Sequence, residues 1–420
     1  MSSYPLDWKV MTLGEICEKP QYGYTASATL ERKGPKFVRI TDITGDQIDW
    51  SGVPYCECDE NMAQKYVLDK DDILFARTGT TGSSVLIKNI PEKAIFASYL
   101  IRIKPKKGIE PNYLGHYLKS SLYWKQVNQK QVGSIQKGIN ASVLTSIKAP
   151  VPPLVEQRGV AEVLGTVDEA IRRTDAVIAK SEELKRGLMQ RLLTRGIGHT
   201  RFKQTELGEI PETWKVETLG NSLTLCDYGL SLPLLDQGKY PIIRMNNIED
   251  GLIVENDLKY ADLTEKKFNN YRLKKGDILF NRTNSHELVG KVGIYLLDGN
   301  HTFASYLIRL RVFDKLNPIF LNYFLNLPKT QSKLKTMATR GVSQSNINAT
   351  NLKKILIPIP SVNEQERLIE YIQTLDQKIK NEKAQRRLAE ELKKGLMKIL
   401  LTGEVRVRLD EGGLHRIRDD

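Results

Sequence analysis

The feature that most constrains this chain is that it is written twice. A self-similarity a little over 200 residues long runs through nearly all of its 420 residues, and a long repeat of this kind dictates architecture before any local pattern does. Trp8-Lys9-Val10 with Thr12-Leu13-Gly14 returns as Trp214-Lys215-Val216 with Thr218-Leu219-Gly220. Asp72-Ile73-Leu74-Phe75 followed by Arg77-Thr78 returns as Asp277-Ile278-Leu279-Phe280 followed by Arg282-Thr283. The heptapeptide from Phe96 to Arg102 is repeated unchanged from Phe303 to Arg309, and Ile139-Asn140-Ala141 matches Ile347-Asn348-Ala349. The offset drifts only from 205 to 208, so the halves differ by very small insertions.

Each half has one plan. A mixed stretch rich in short β-type runs, such as Phe37-Val38-Arg39-Ile40 and Ile242-Ile243-Arg244, is punctuated by glycine and asparagine turns. A proline hinge follows, Pro150-Val151-Pro152-Pro153 and then Pro358-Ile359-Pro360, where proline fixes an extended entry to a helix. Long helices are predicted over 156–194 and 364–402, with Gly196 and Gly403 where a C-cap glycine belongs. Val160, Leu164, Val167, Ile171, Thr174 and Ile178 step alternately by four and three; Leu368, Ile372, Leu375 and Ile379 do the same in the second helix. That stepping is a coiled-coil seam, although an ordinary helix lying on its own domain would share part of it. A helix of this length is roughly 57 Å long at about 1.5 Å per residue. Two matching seams in one chain predict internal antiparallel pairing. The expected fold class is therefore α+β, with two pseudo-symmetric α/β domains (1–152 and 198–358) separated by two long helices (153–197 and 359–403). A charged tail, 404–420, has no counterpart in the first half.

Composition narrows the partners. Sixty-three basic against fifty acidic residues leave a net charge of +13 and a pI near 9.3, a field that favours polyanions, nucleic acid first and anionic membrane second. No run of roughly 18 apolar residues exists to span a bilayer, and Met1 to Trp8 lacks the layout of a signal peptide. Cys17, Cys56, Cys58 and Cys226 show no paired metal-ligand spacing and no disulfide density, so they are expected to be reduced thiols in a cytoplasmic protein, with no metal site.

A tandem repeat folded about an antiparallel helix pair would offer the same surface of both domains in one direction. B-DNA shows the same groove to one face about every 34 Å, so such a molecule suits two short sequences with an unread gap between them. The framework is shared while the loops have diverged, as in Arg77-Thr78-Gly79-Thr80-Thr81-Gly82-Ser83-Ser84 against Arg282-Thr283-Asn284-Ser285-His286-Glu287. Divergent loops on a common frame fit two readers of different sequences, because base contacts specify while backbone contacts position.

These motifs, together with Glu156-Gln157 and Glu364-Gln365 at the helix starts, resemble the specificity subunit of type I restriction–modification systems. So do Leu184-Lys185 with Gly187-Leu188-Met189 and Leu392-Lys393 with Gly395-Leu396-Met397, and the connector from Thr205 to Trp214. The resemblance covers residues 7 to 403. It implies two target-recognition domains, each binding one half of a bipartite, asymmetric site in double-stranded DNA, and conserved spacer helices that fix the gap and dock two modification subunits. Those partners would bind S-adenosylmethionine and methylate adenine at N6. Restriction subunits would supply translocation and cleavage driven by ATP with Mg. The chain itself would bind no cofactor.

Two segments per half are the candidate DNA contacts. After Phe75, Arg77 suits a phosphate, a guanine edge or an internal salt bridge, and Thr78, Thr80, Ser83 and Ser84 offer hydroxyls, although a plain glycine turn fits the same residues. Arg282 and Thr283 repeat the shared positions, and Asn284, Ser285 and His286 are placed to carry specificity in the second domain. Before the hinge, Gln136 and Lys137 in the first half and Ser343 and Gln344 in the second are candidates; Gln136 aligns with Gln344, and glutamine can pair with adenine, but its retention in both halves suits a common backbone contact or a structural turn. Tyr22-Gly23 and Tyr228-Gly229 align; a tyrosine here suits stacking or a phosphate contact, with the core the preferred place. The repeated heptapeptide reads as core strand, with Arg102 and Arg309 at an exposed end. Asn140 and Asn348 read as caps.

An enzyme reading needs a constellation that is missing. There is no dinucleotide fingerprint and no phosphate loop. Asn317-Pro318-Ile319-Phe320 lacks the second proline of an adenine-methyltransferase motif and is read as a helix start. The rival from another class is a DNA-bridging or inactive relative on the same coiled coil, which would not require the loops to differ.

Overall fold

The computed structural model describes residues 4–131, 138–285, 288–340, 345–410 and 413–417. The chain divides into two compact units, Met1–Ala176 with Lys383–Asp420, and Val177–Glu382. Each is a mixed α/β domain completed by half of each long helix.

In the first unit the central sheet runs in the order Gln21–Tyr22, Leu100–Ile103, Ile73–Ala76, Ser84–Leu86, all antiparallel. Apart from Arg102, its middle strands are apolar without alternation because they are buried on both faces. Ile73, Phe75, Ile101 and Ile103 enter one core with the helices Pro111–Tyr117 and Ser121–Gln131, while Leu74 and Leu100 enter another with Val38 and Phe96. The second unit repeats the arrangement in a longer sheet whose first four strands are Leu223–Tyr228, Leu307–Val312, Ile278–Asn281 and Val292–Ile294.

The opening motif and the proline hinge recur together because they pair. Lys9–Thr12 lies antiparallel to Lys148–Val151, with Val10 opposite Pro150; Lys215–Thr218 lies against Leu356–Ile359, with Val216 opposite Pro358. A two-stranded ribbon tolerates proline because its outer edge asks for no amide donor. The Glu-Gln pair beyond the hinge then locks the helix start. Gln157 accepts from the Glu110 amide at 2.8 Å and donates to Gly108 and Pro152 carbonyls, and Gln365 makes the same three bonds to Asn317, Lys315 and Pro360.

The long helices are Leu154–Arg195 and Val362–Leu400. Beyond them Gly196 and Gly403 adopt φ of 64° and 76°, the left-handed turn that glycine enters without a Cβ clash. Within each unit the two helices pack antiparallel. Asp168 pairs with Lys393 at 2.6 Å and Asp175 with Arg386 in the first unit, and Lys185 pairs with Asp376 in the second. The seam residues divide into two kinds. Val160 and Leu164 join the first domain core beside Met397, Leu400 and Leu401, and Leu368 and Ile372 join the second beside Leu188, Leu192 and Leu193. Ile178 and Ile379 are buried outside those cores, and Val167, Ile171 and Leu375 are half-buried. No helix among the described residues is long and apolar enough to cross a membrane.

Two expectations are corrected. Arg102 and Arg309 are not at an exposed end: they are 8% and 3% exposed. Arg309 holds Asp227 at 2.7 and 3.0 Å and the Arg272 and Asn270 carbonyls at 3.0 Å, and Arg102 holds Asp72 at 3.2 Å together with Val67 and Gln21. Burial is tolerated because the guanidinium fork finds carboxylate and carbonyl acceptors around it. The tail, in turn, does have a counterpart. Arg406–Asp410 and Gly413–Ile417 form an antiparallel hairpin, as do Phe202–Thr205 and Gly208–Pro211 in the connector. The tail hairpin serves the first domain as the connector hairpin serves the second. Arg406 reaches Glu156, which also accepts from the Trp8 indole at 3.0 Å; His199 reaches Glu364, which accepts from Trp214 at 2.9 Å.

Candidate nucleic-acid interface

One end of each central sheet gathers the segments singled out above. In the first domain the chain leaves strand Ile73–Ala76 at Arg77, whose amide donates to the Tyr99 carbonyl and whose carbonyl accepts from the Ile139 amide, at 3.0 and 3.1 Å. The loop after Phe75, the turn inside the heptapeptide and the segment before the hinge therefore meet. In the second domain Arg282 makes the same two bonds to Tyr306 and Ile347, at 3.0 and 2.9 Å.

The arginine at the centre is held by an aromatic ring. The Arg77 guanidinium lies 4.8 Å from the Tyr22 ring centroid, and Arg282 lies 4.7 Å from Tyr228. Such a contact contributes about 0.5–1 kcal/mol at a partly exposed site. Each arginine also donates to the carbonyl of the serine beside the turn, Ser98 or Ser305. The tyrosine hydroxyl is anchored in turn, accepting from the Ala141 amide at 3.0 Å and, in the second domain, from the Ala349 amide at 2.9 Å. Those amides open short helices capped by Asn140 and Asn348, whose side chains accept from Val143 and Asn351 at 2.8 Å. Glycine must follow the tyrosine because a Cβ on Gly23 or Gly229 would fall 2.2 to 2.4 Å from two carbonyl oxygens of the neighbouring strand end. Among the described residues neither arginine meets a carboxylate, in contrast to Arg102, Arg309 and Arg311.

The side chains expected to differ between the domains are placed differently. Thr78 and Thr80 are exposed, whereas Ser83 and Ser84 are half-buried. Gly82 is pinned between them and the helix Ser121–Gln131, its carbonyl taking the Tyr123 hydroxyl at 2.7 Å. In the second domain Thr283–Asn284 is a strand in a three-stranded ribbon with Thr339–Arg340 and Ser345–Asn346. The Asn346 amide donates to Thr283 at 3.1 Å and Asn284 turns back toward Met245, leaving Ser285 exposed. Gln136, Lys137, His286, Ser343 and Gln344 lie outside the described residues. The polarity of the loop was legible; its conversion into a ribbon was not, because a two-residue strand carries no period of its own.

Two exposed residues at this end escaped the sequence reading. Tyr99 and Tyr306 are 62% and 48% exposed, and Tyr22 and Tyr228 are 39% exposed. The only available signal was the Ser-Tyr pair inside an otherwise apolar heptapeptide, which marks a turn rather than an uninterrupted strand.

Beside the helices the first unit holds an open groove of about 1020 Å³ lined by Asp46, His116, Lys119, Asp168, Arg386 and Lys393 among others. His116 is almost wholly buried, its Nδ1 without a hydrogen-bond partner and 3.7 Å from Asp168. Lys119 pairs with Asp46 at 2.7 Å. Burial drives the His116 imidazole toward its neutral form, to a pKa of about 4, against the pull of Asp168. The equivalent position in the second unit is Tyr323, whose hydroxyl donates to Asp376 at 2.9 Å.

Comparison with known proteins places this geometry. The family model for the type I restriction modification DNA specificity domain matches residues 5–182 and again 211–391. The MjaVIII type I restriction enzyme specificity subunit of Methanocaldococcus jannaschii is 26% identical over 441 aligned positions, spanning 96% of this chain and 94% of that one. The EcoKI specificity subunit of Escherichia coli K12 is 26% identical, over 82% of this chain and 77% of its own. A chain from a solved structure concerned with complex assembly and conformational transition of the type I R-M system shares the fold with a TM-score of 0.59 at 17% identity. That match covers 96% of this chain and 99% of the other.

Proposed function

Because both of its halves match that family model, the chain belongs to the type I restriction–modification DNA-specificity family, and we propose that it is the subunit that reads a bipartite DNA target without catalysing a reaction itself. Each domain binds one half of an asymmetric site. The observation that carries this reading is the shared sheet end, where an identical Tyr-Arg-Asn frame supports loops that differ between the domains. A bridging protein would need the frame and the positive charge, but not the divergence.

In this reading Arg77 and Arg282 contribute charge common to both half-sites, and Thr78, Thr80 and Ser285 present donors to base edges or phosphates. The long helices act as the spacer that sets the unread gap and docks two modification subunits. Those partners supply S-adenosylmethionine-dependent adenine-N6 methylation, and restriction subunits supply ATP- and Mg-dependent translocation and cleavage.

The test is an adenine-methylation map of host DNA in cells that express the modification subunits with and without this chain. A split motif with a fixed unread gap, present only with the chain, is the expected result. Methylation that does not depend on the chain would favour the bridging or inactive reading.

A further inference from the structure

We propose that Tyr99 and Tyr306 are matched phosphate contacts, one per domain, each donating its phenolic hydroxyl to the DNA backbone. This rests on the DNA-reading function above. The repeated heptapeptide supplies the first observation. Phe96, Ala97, Leu100 and Ile101 are buried, with Phe303, Ala304, Leu307 and Ile308 likewise, so packing accounts for their identity in both halves. Packing does not account for the tyrosine between them, which is 62% exposed in one domain and 48% in the other. A lone exposed aromatic needs no explanation by itself, but one kept at the same turn in two diverged domains points to a contact outside the chain.

Position supplies the second. The Tyr99 carbonyl takes the Arg77 amide and the Tyr306 carbonyl takes the Arg282 amide, so the backbone of each tyrosine is bonded to the arginine that opens the divergent loop of its domain. That arginine's guanidinium, held by the Tyr22 or Tyr228 ring, meets no carboxylate among the described residues. Hydrogen bonding supplies the third. Tyr22 and Tyr228 already use their hydroxyls on the Ala141 and Ala349 amides, whereas those of Tyr99 and Tyr306 have no partner among the described residues. The ligand must be common to two half-sites of different sequence, which selects sugar–phosphate over base edges. A phenol donates one hydrogen bond to a phosphate oxygen without adding charge, so it strengthens binding without steepening its salt dependence.

The experiment uses the full-length chain bound to its modification subunits and two probes, a duplex carrying the mapped motif and a duplex of scrambled sequence. Wild-type protein is compared with Tyr99→Phe, Tyr306→Phe and the double variant, each checked for an unchanged melting temperature and unchanged association with the modification subunits. Each single variant should bind both duplexes roughly tenfold more weakly, the scale of one hydrogen bond to a charged acceptor, with the slope of affinity against salt unaltered. Unchanged affinity overturns the proposal. A loss confined to the motif duplex overturns it in favour of base reading, and a loss of subunit association overturns it in favour of a protein contact. If wild-type protein binds neither duplex, the DNA-reading function falls and this contact with it; wild-type binding with indifferent variants removes the contact alone.

Discussion

In the first unit a buried carboxylate, Glu156, ties the Trp8 indole to a guanidinium, Arg406, that comes from the far end of the chain. In the second, Glu364 ties Trp214 to His199, only fifteen residues upstream of that tryptophan. The two anchors stand at the same place in the repeat, with the same indole and the same carboxylate, and only the basic side chain differs. Arg406 also engages Asp7, and the two carboxylates push its pKa further up, so its charge is permanent. The helix pair shows the same kind of difference: His116 faces Asp168 in one unit, and Tyr323 faces Asp376 in the other. Framework roles are thus fixed by geometry, while the chemistry filling them is free to differ where two partners change together. At the sheet end Thr80 and Ser285 differ between the domains and are exposed, which is why they read as facing an external partner.

The largest expected break in that comparison comes from the anchors. Glu156→Ala takes the buried carboxylate away from Arg406 and empties the bond to Trp8, and should cost about 3 kcal/mol, the lower part of the range for breaking a buried pair. Glu364→Ala removes hydrogen bonds to an imidazole and an indole rather than to a guanidinium and should cost less, about 1–2 kcal/mol. Urea unfolding followed by tryptophan fluorescence measures both; equal losses would show that the identity of the basic side chain is irrelevant to the anchor.

An intermediate effect separates the units by pH. His116 is faced by Asp168 and Lys393 from the helices, and by Asp46, Lys119 and Lys88 from its own domain. Because burial holds its folded pKa near 4, below the ordinary histidine value of about 6.5, the unfolded chain binds a proton that the folded chain refuses. Stability from this site is therefore complete above about pH 6.5 and is lost as pH falls toward 4, on the order of 2 kcal/mol by pH 5. His116→Tyr installs the second unit's solution and should flatten that loss. Unfolding midpoints at pH 7 and pH 5 test it, and an unchanged difference between them would refute the assignment to His116.

How much of this could be read beforehand follows from the same physics. The repeat, the long helices, the asparagine caps and the C-cap glycines were legible because each leaves a periodic or positional mark. The tail hairpin was not, since Arg406–Asp410 shares pairing geometry with Phe202–Thr205 but almost no residues. Nor were Arg102 and Arg309, because an arginine ending an apolar strand is usually solvated, and here Asp72 and Asp227 with surrounding carbonyls replace the water. At the sheet end the polar loops were visible, while the exposed tyrosines were hidden by their apolar neighbours.

The smallest expected effect falls on specificity rather than stability. Thr78 and Thr80 are exposed and their hydroxyls make no hydrogen bond among the described residues, so Thr78→Ala with Thr80→Ala should leave melting within about 0.5 kcal/mol of wild type. If these hydroxyls touch bases, the paired substitution relaxes one half of the methylated motif by about 0.5–1.5 kcal/mol of discrimination for each hydroxyl removed and leaves the other half and the gap intact. Ser285→Ala should relax the opposite half. A change in both halves from either variant would mean that the two domains do not read independently. The contrast between a shared frame and private loops would then have to be abandoned for one in which the frame itself transmits the choice.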